Sequence, residues 1–353
     1  MTLTTLTQLD PKRKSFLLRS LYESKLITVE SQNKPTDQSV LLLERADLTD
    51  VILGTTRDSR KDDFSRENYI SWMDVNLAGV TLINASFRHV RLDCANFKNA
   101  RMDSIDFSFS FNSLFPCFSI DRMCSIDFSG SSLVNANLNH TGFCGGHFHS
   151  VNLTLANLSH LECIDCSFNS AVFDRMEMSF ASFRDFYSHK SGDDFTYTEF
   201  RDTVVHGTYF QTANFQESKW LNVSAQEITL DECSLNSVEL NDCSFSNANF
   251  KYASFVEAKL SHIDLSLSTL RNVTFRDAEF YQVNFSSIVC HWCDFQGATF
   301  KSCIWNNSTF RHSNFRDSNI SLEQLQQIVD FTGSVLPNGT RSENNNDIHR
   351  QMY

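Results

Sequence analysis

The sequence predicts an all-β solenoid, a coil that turns through a right angle every five residues, and three observations carry that prediction. From Phe195 to Ile320 every fifth residue gives 26 positions, of which 14 are Phe and 6 are Leu, with Trp220 and Trp305 among the rest. Two residues before these centres stand small or β-branched side chains, as in Ala213, Ile228, Val238, Ala248, Ala258, Val273 and Ala298. The other positions are mostly Asn, Asp, Ser, Thr, Lys, Arg, Gln or Glu. A period of five matches neither the ~3.6 of an α-helix nor the ~2.0 of a flat strand. It matches a four-faced coil in which each unit turns one large and one small side chain inward and three polar ones outward. Residue n then stacks on the residue one full turn of about 20 later, at roughly the 4.8 Å spacing of paired strands. Each turn satisfies the backbone polar groups of its neighbours.

The elements follow in chain order. Residues 1–40 are expected to form an N-terminal helical cap: Pro11 opens a stretch with Phe16, Leu17, Leu21, Tyr22 and Leu26 at helical spacing. The repeat occupies 41–320, with breaks near 54–71, 108–126 and 184–194, and keeps phase in blocks from Leu43, Trp72, Phe128 and Phe195. In all it amounts to about twelve turns and a rod of roughly 60 Å. The first break carries Arg57, Asp58, Arg60, Lys61, Asp62 and Asp63 and reads as a solvated loop. The second reads as one irregular coil with a single inserted residue near Pro116, and the third, with Gly192, as a small loop that adds two residues. All four prolines, Pro11, Pro35, Pro116 and Pro337, fall outside the in-phase blocks, where a missing N–H would break the ladder. Residues 321–340 are expected to cap the open end, with Ser321 as N-cap and Leu322, Leu325 and Ile328 on one helical face. The polar stretch 341–353 reads as a disordered tail.

Units such as Ala248-Asn249-Phe250-Lys251-Tyr252 and Ala136-Asn137-Leu138 resemble the pentapeptide-repeat family, whose consensus is A(D/N)LXX with Leu or Phe at the centre. The resemblance covers about 41–320 and rests on dozens of units in phase. It implies a right-handed quadrilateral β-helix with short capping helices, and Gly333 to Gly339 resembles the Leu-Pro-x-Gly ending common after such repeats. Departures from the pattern are Val205, Ala225 and Cys290 at centres and Asp193, Thr198, Thr203 and Thr208 at small positions, which predict looser packing where the last block begins.

Composition bounds the function. The 353 residues are 41% hydrophobic and 20% charged, too apolar for a disordered polymer, and 32 Phe against 4 Pro and 11 Gly exclude collagen-like chains and hairpin-rich sandwiches. A net charge of -12 disfavours nucleic acid and anionic membrane. The polar, basic start and the lack of any apolar run long enough to span a bilayer lead to a cytoplasmic expectation. Eleven scattered cysteines read as reduced thiols in a packed interior. Cys163 with Cys166 and Cys290 with Cys293 form Cys-x-x-Cys pairs, but each joins a centre to the next small position, so the repeat itself generates the spacing. They are expected to be buried thiols, not zinc or redox centres. His147 and His149 flank inward Phe148 without a matching second ligand pair. No phosphate loop or nucleophile motif is present, and a filled coil offers no cleft. No catalytic, cofactor or metal residues are therefore expected.

What remains is surface. The resembled family includes topoisomerase inhibitors that mimic DNA, yet one face here reads Glu199, Lys219, Glu239, Lys259, Glu279, and residues 195–320 carry 14 acidic and 9 basic side chains, only modestly negative. DNA mimicry is the runner-up. The leading expectation is a protein-binding or scaffolding module. Its candidate docking face is the row Lys251, Arg271, His291 and Arg311 beside Tyr252, Asn272, Trp292 and His312, suited to an acidic protein segment because Trp, Tyr and Arg dominate interface energetics. A homodimer through the C-terminal cap is a further expected assembly.

Overall fold

The computed structural model describes residues 6, 8–28, 43–54, 70–111, 125–184 and 193–343. They form an all-parallel β-solenoid, a right-handed quadrilateral β-helix with one short helix near each end. Two compact units divide the chain, Met1–Met178 and Ser179–Tyr353. The loop readings of Arg57 to Asn68, Pro116 and Gly192 lie outside the described residues, as does most of the tail.

In the first unit, helix α1 (Pro11–Glu23) starts at Asp10, whose carboxylate accepts the Arg13 N–H at 3.0 Å, with Pro11 at the first turn where its missing N–H costs nothing. The buried face is Lys14 and Leu18, not the row beginning at Phe16, which is 75% exposed. Lys14 is drawn in because its ammonium lies 3.7 Å from the Asp47 carboxylate, while Tyr22 packs on Trp72 with ring centroids 4.9 Å apart. Strands β1 (Ile70–Ser71) and β2 (Val90–Arg91) pair in parallel, as do β3 (Gly142–Cys144) and β4 (Glu162–Ile164); β5 (Val172–Asp174) completes the unit. Bridges between successive turns join residues 20 apart, as in Asn76 with Asn96. At the second break, however, Asn96 pairs with Asp127 and Asp106 with Asn137. Those partners are 31 apart, so the register across this break is offset by eleven residues beyond one turn, not by one. The stacked centres decide the register: Phe97 lies on Phe128 at 5.3 Å, Phe128 on Phe148 at 4.9 Å and Phe148 on Phe168 at 4.5 Å.

The second unit holds two parallel stacks. One comprises β6 (Ser182–Arg184), β8 (Tyr209–Gln211), β10 (Thr229–Asp231), β12 (Asn249–Lys251), β14 (Thr269–Arg271), β16 (Val289–His291), β18 (Ser308–Arg311) and β19 (Ile328–Asp330). The other comprises β7 (Glu199–Arg201), β9 (Lys219–Leu221), β11 (Glu239–Asn241), β13 (Lys259–Ser261), β15 (Glu279–Tyr281) and β17 (Thr299–Lys301). Phe183 pairs with Phe210, 27 residues on, so the third break inserts seven residues and not two. The start of this block is not loose either. Val205, Thr198, Thr203 and Thr208 are all fully buried, and the Thr198 hydroxyl donates to the Phe195 carbonyl at 2.7 Å, which lets a polar side chain occupy a small inward site.

Each corner is made by one residue with positive φ, two positions after the centre: Glu217, Ser237, Glu257 and Asp277 along one edge, Tyr252, Asn272, Trp292 and His312 along another. Only Gly adopts this conformation without a steric cost, so the corners are held by the ladder on both sides rather than by local preference. At the end of the coil, α2 (Leu322–Leu325) carries a complete capping box between Ser321 and Gln324. It is one turn long. Ile328, expected on its face, belongs to β19, because another strand added to β18 satisfies more backbone groups than a longer helix would. Arg341–Glu343 are not tail: Arg341 bridges Val335 in antiparallel fashion and Gly333 N donates to the Ser342 carbonyl at 2.8 Å.

The cysteine expectation is overturned. Cys163 is bonded to Cys166 and Cys290 to Cys293. A centre and the following small position both point inward, with Cα atoms 5.9 and 6.1 Å apart, a separation that suits a disulfide whenever both are Cys. Cys94 and Cys144 are disulfide-bonded as well. Cys233, Cys243 and Cys303 are free and buried, and burial pushes the Cys243 thiol up to about 12.

Candidate functional site

Strand pairing sets Lys251 beside Arg271, Arg271 beside His291 and His291 beside Arg311, so the predicted row is one continuous stripe on the outer surface of β12, β14, β16 and β18. The next residue of each turn is the positive-φ corner, and this lifts Tyr252 and Trp292 to 51% and 50% exposure. Lys251 lies over the Tyr252 ring at 5.4 Å and Arg271 over the Trp292 ring at 5.9 Å, while Trp292 and His312 stack at 5.5 Å. Cation–π contacts of this kind hold flat rings in place at an open surface. His291 is the least exposed member, and burial first, then the charges of Arg311, His312 and Arg271, lowers its pKa, which leaves it neutral at pH 7. Arg311 is committed: its Nε donates to the Asp330 carboxylate at 2.5 Å. The cations available to a partner are therefore Lys251 and Arg271, neither of which forms an ion pair among the described residues.

The acid–base ladder also has the predicted register, since Glu199, Lys219, Glu239, Lys259 and Glu279 pair successively, with Lys219 Nζ 3.7 Å from the Glu239 carboxylate. Lys219, Glu239, Lys259 and Glu279, with Glu217, Ser237, Glu257 and Asp277, line a groove. His147 and His149 are exposed and stack on each other at 5.7 Å, and no group of three potential metal ligands occurs among the described residues. One column escaped the sequence reading: His89, Phe109, His140 and His160 stack in succession at 5.2, 5.1 and 4.5 Å. The inserted eleven residues separate Phe109 from His140 in sequence and hide the row from a search at fixed period.

The sequence profile described as pentapeptide repeats matches eight copies, over residues 73–108, 125–159, 228–266, 248–286 and 293–321. The chain belongs to the pentapeptide-repeat family. Solved structures similar to this pentapeptide-repeat chain include HetL, involved in heterocyst differentiation regulation, from Nostoc sp. strain PCC 7120, at 19% identity over 77% of this chain and 92% of that one with a TM-score of 0.30. QnrB1, a plasmid-mediated fluoroquinolone resistance protein, is 17% identical over 61% and 92% with a TM-score of 0.24. A pentapeptide-repeat protein of the Arabidopsis thaliana thylakoid lumen is 18% identical over 34% and 82% with a TM-score of 0.25. Comparison with curated protein sequences returns no match. No helix among the described residues is long and apolar enough to cross a membrane.

Proposed function

We propose that this pentapeptide-repeat protein is a non-catalytic binding or scaffolding module that docks an acidic protein segment on Lys251, Tyr252, Arg271, His291, Trp292, Arg311 and His312. The observation that carries the reading is Trp292, half exposed at a corner, with the Arg271 guanidinium over its ring and His312 stacked beneath. Ordered aromatic and arginine groups bind with little loss of side-chain entropy. A photo-crosslinking residue at Asn272 would capture the partner from the native source. The double variant Trp292→Ala, Arg271→Ala should then lower its affinity at least about tenfold, a loss of some 1.4 kcal/mol, with an unchanged melting temperature. Equal affinity would overturn the reading.

The rival, a DNA-mimicking topoisomerase modulator, needs a continuous acidic band. The alternation from Glu199 to Glu279 interrupts such a band with Lys219 and Lys259. The cytoplasmic address is part of the proposal and has lost its thiol argument. A cytoplasmic module would yield Cys163, Cys166, Cys290 and Cys293 as thiols after acid-quenched alkylation, whereas intact bridges would assign it to an oxidising compartment.

A further inference from the structure

The turn that carries Trp292 differs from its neighbours inside the coil. At the inward pair flanking this corner, the two preceding turns hold Phe250 with Ala253 and Leu270 with Val273, and the following turn holds Phe310 with Ser313. Here the pair is Cys290 and Cys293, joined by a disulfide across Cα atoms 6.1 Å apart. The link encloses His291 and Trp292, the two docking residues of the turn, with Trp292 at a φ of +57°. A thiol at position 290 would fill less of the interior than Leu270 and Phe310, its partners in the ladder, and an under-filled site gives the backbone above it room to move. The free cysteines show what the link replaces. The Cys233 thiol, at the position of Cys293 three turns earlier, donates to the Asp231 carbonyl at 3.4 Å and to that of Phe210 at 3.6 Å. Cys293 Sγ stands 3.9 Å from the corresponding carbonyls of His291 and Leu270, and as a disulfide sulfur it has no hydrogen to donate. A turn without the bridge therefore fits the same ladder, as the turn at Cys233 does, and what the bridge adds is a covalent hold on the corner.

We propose that Cys290 and Cys293 are positioning residues of the docking face: their bridge fixes the corner from which Trp292 projects, and a chain in which it is open binds an acidic segment more weakly. The proposal rests on the reading of this stripe as a docking surface. The Trp292 ring packs against groups of the turns on either side, Arg271 and His312, so those contacts depend on where its own backbone sits. A left-handed corner is disfavoured for any residue but glycine and persists by what holds it on both sides. At Tyr252 the packing of Phe250 and Ala253 supplies that hold, and at Trp292 the sulfur link does. Opening the bridge is a two-electron reduction. One thiolate of a dithiol attacks a sulfur, its second thiol displaces the mixed disulfide, the reagent leaves as a cyclic disulfide, and its two protons end on Cys290 and Cys293. Both sulfurs are buried, so exchange waits for the corner to open locally and is slow. The freed Cys293 thiol then takes up the carbonyl bond seen at Cys233, and the covalent hold on Trp292 is gone.

Binding of a fluorescent poly-glutamate peptide to the full chain, before and after equilibration with dithiothreitol, tests the role. Mass spectrometry after alkylation establishes whether Cys290 and Cys293 have become thiols, and circular dichroism that the coil is intact. Reduction should weaken the peptide about three- to tenfold, the effect of one large side chain that must be ordered on binding. Iodide quenching of tryptophan emission should rise with it, and this reads Trp292 because Trp72, Trp220 and Trp305 are buried. Cys290→Leu with Cys293→Val installs the pair found one turn earlier and fills the interior without sulfur; it should bind like the oxidised parent and ignore the reductant, although its other bridges remain reducible. Cys290→Ser with Cys293→Ser sets the open state with no reductant, decides the matter if the buried bridge resists the dithiol, and should match the weakened chain. Unchanged affinity and quenching in the opened chain overturn the proposal. So does a Leu and Val variant that weakens on reduction as the parent does, which would trace the effect to another bridge. If peptide binding ignores the bridge but is lost in Trp292→Ala, the docking surface stands and only the positioning role fails. If the peptide binds in neither state, the docking reading falls, and the quenching alone decides whether the bridge holds the corner.

Discussion

Phe250 and Asn249 are neighbours in β12 and have opposite fates, one buried and one exposed. Phe250→Asp forfeits roughly 1.5–3 kcal/mol of burial and adds the cost of an unpaired carboxylate in an apolar interior. Its melting temperature should fall by many degrees, whereas Asn249→Asp should melt with the parent; equal melting of the two would refute the inward assignment. The centre and small positions were legible because burial filters residue type so strongly. The corners were not. Leu267, Tyr252 and Trp292 hold φ near +60° without being Gly, and nothing in a bulky side chain announces a left-handed backbone. Leu267 is 63% exposed, so its replacement reports the backbone with little packing loss. Leu267→Gly should melt at or above the parent and Leu267→Val below it, since β-branching worsens the left-handed conformation; the reverse order of melting temperatures would count against the corner geometry.

Among the elements, the stacked column of His89, Phe109, His140 and His160 makes stability depend on pH. Burial chiefly, aided by the charge of Arg88 at His89 and of His160 at His140, lowers the pKa of both imidazoles below 6.5. A depressed folded-state pKa means that the unfolded chain binds more protons in the window just below 6.5, so the stabilisation is complete above that value and is lost as pH falls through the folded-state pKa. Burial acts in the opposite sense on Asp74 and Asp231, whose carboxyls it raises above their ordinary range. The melting temperature should decline between about pH 7 and pH 5.5, and His89→Gln with His140→Gln should flatten the decline; an unaltered slope would remove the column from the account. The caps were partly legible. Ser321 announced its own N-cap, but periodicity alone did not show that Ile328 returns to the ladder, because one apolar residue fits a helix face and a strand equally well. Deleting residues 321–353 removes β19 and the Val335–Arg341 bridge and bares the edge of β18. The truncated chain is expected to associate in light scattering, and a monodisperse product would contradict the capping role.

Across the whole chain, the period of five is legible wherever it runs unbroken, and it alone places Lys251, Arg271, His291 and Arg311 in one row. Where segments interrupt it, counting residues misled. The eleven extra residues before Asp127 and the seven before Tyr209 are invisible to a search for phase, because an insertion of any length returns to some position of a five-residue cycle. The cysteine bridges were missed for a related reason: the same inward geometry that explains a Cys-x-x-Cys spacing as packing also brings the two sulfurs together. Every surface argument depends on residues one turn apart lying in register. Spin labels on cysteines introduced at Thr229 and Thr309, exposed or half-exposed residues four turns apart in the stack from β10 to β18, measure that register directly by electron–electron double resonance. A narrow distribution centred near four strand spacings, about 19 Å, is the expected result, and a broad distribution or one centred beyond about 30 Å would contradict the coil from which the docking face is built.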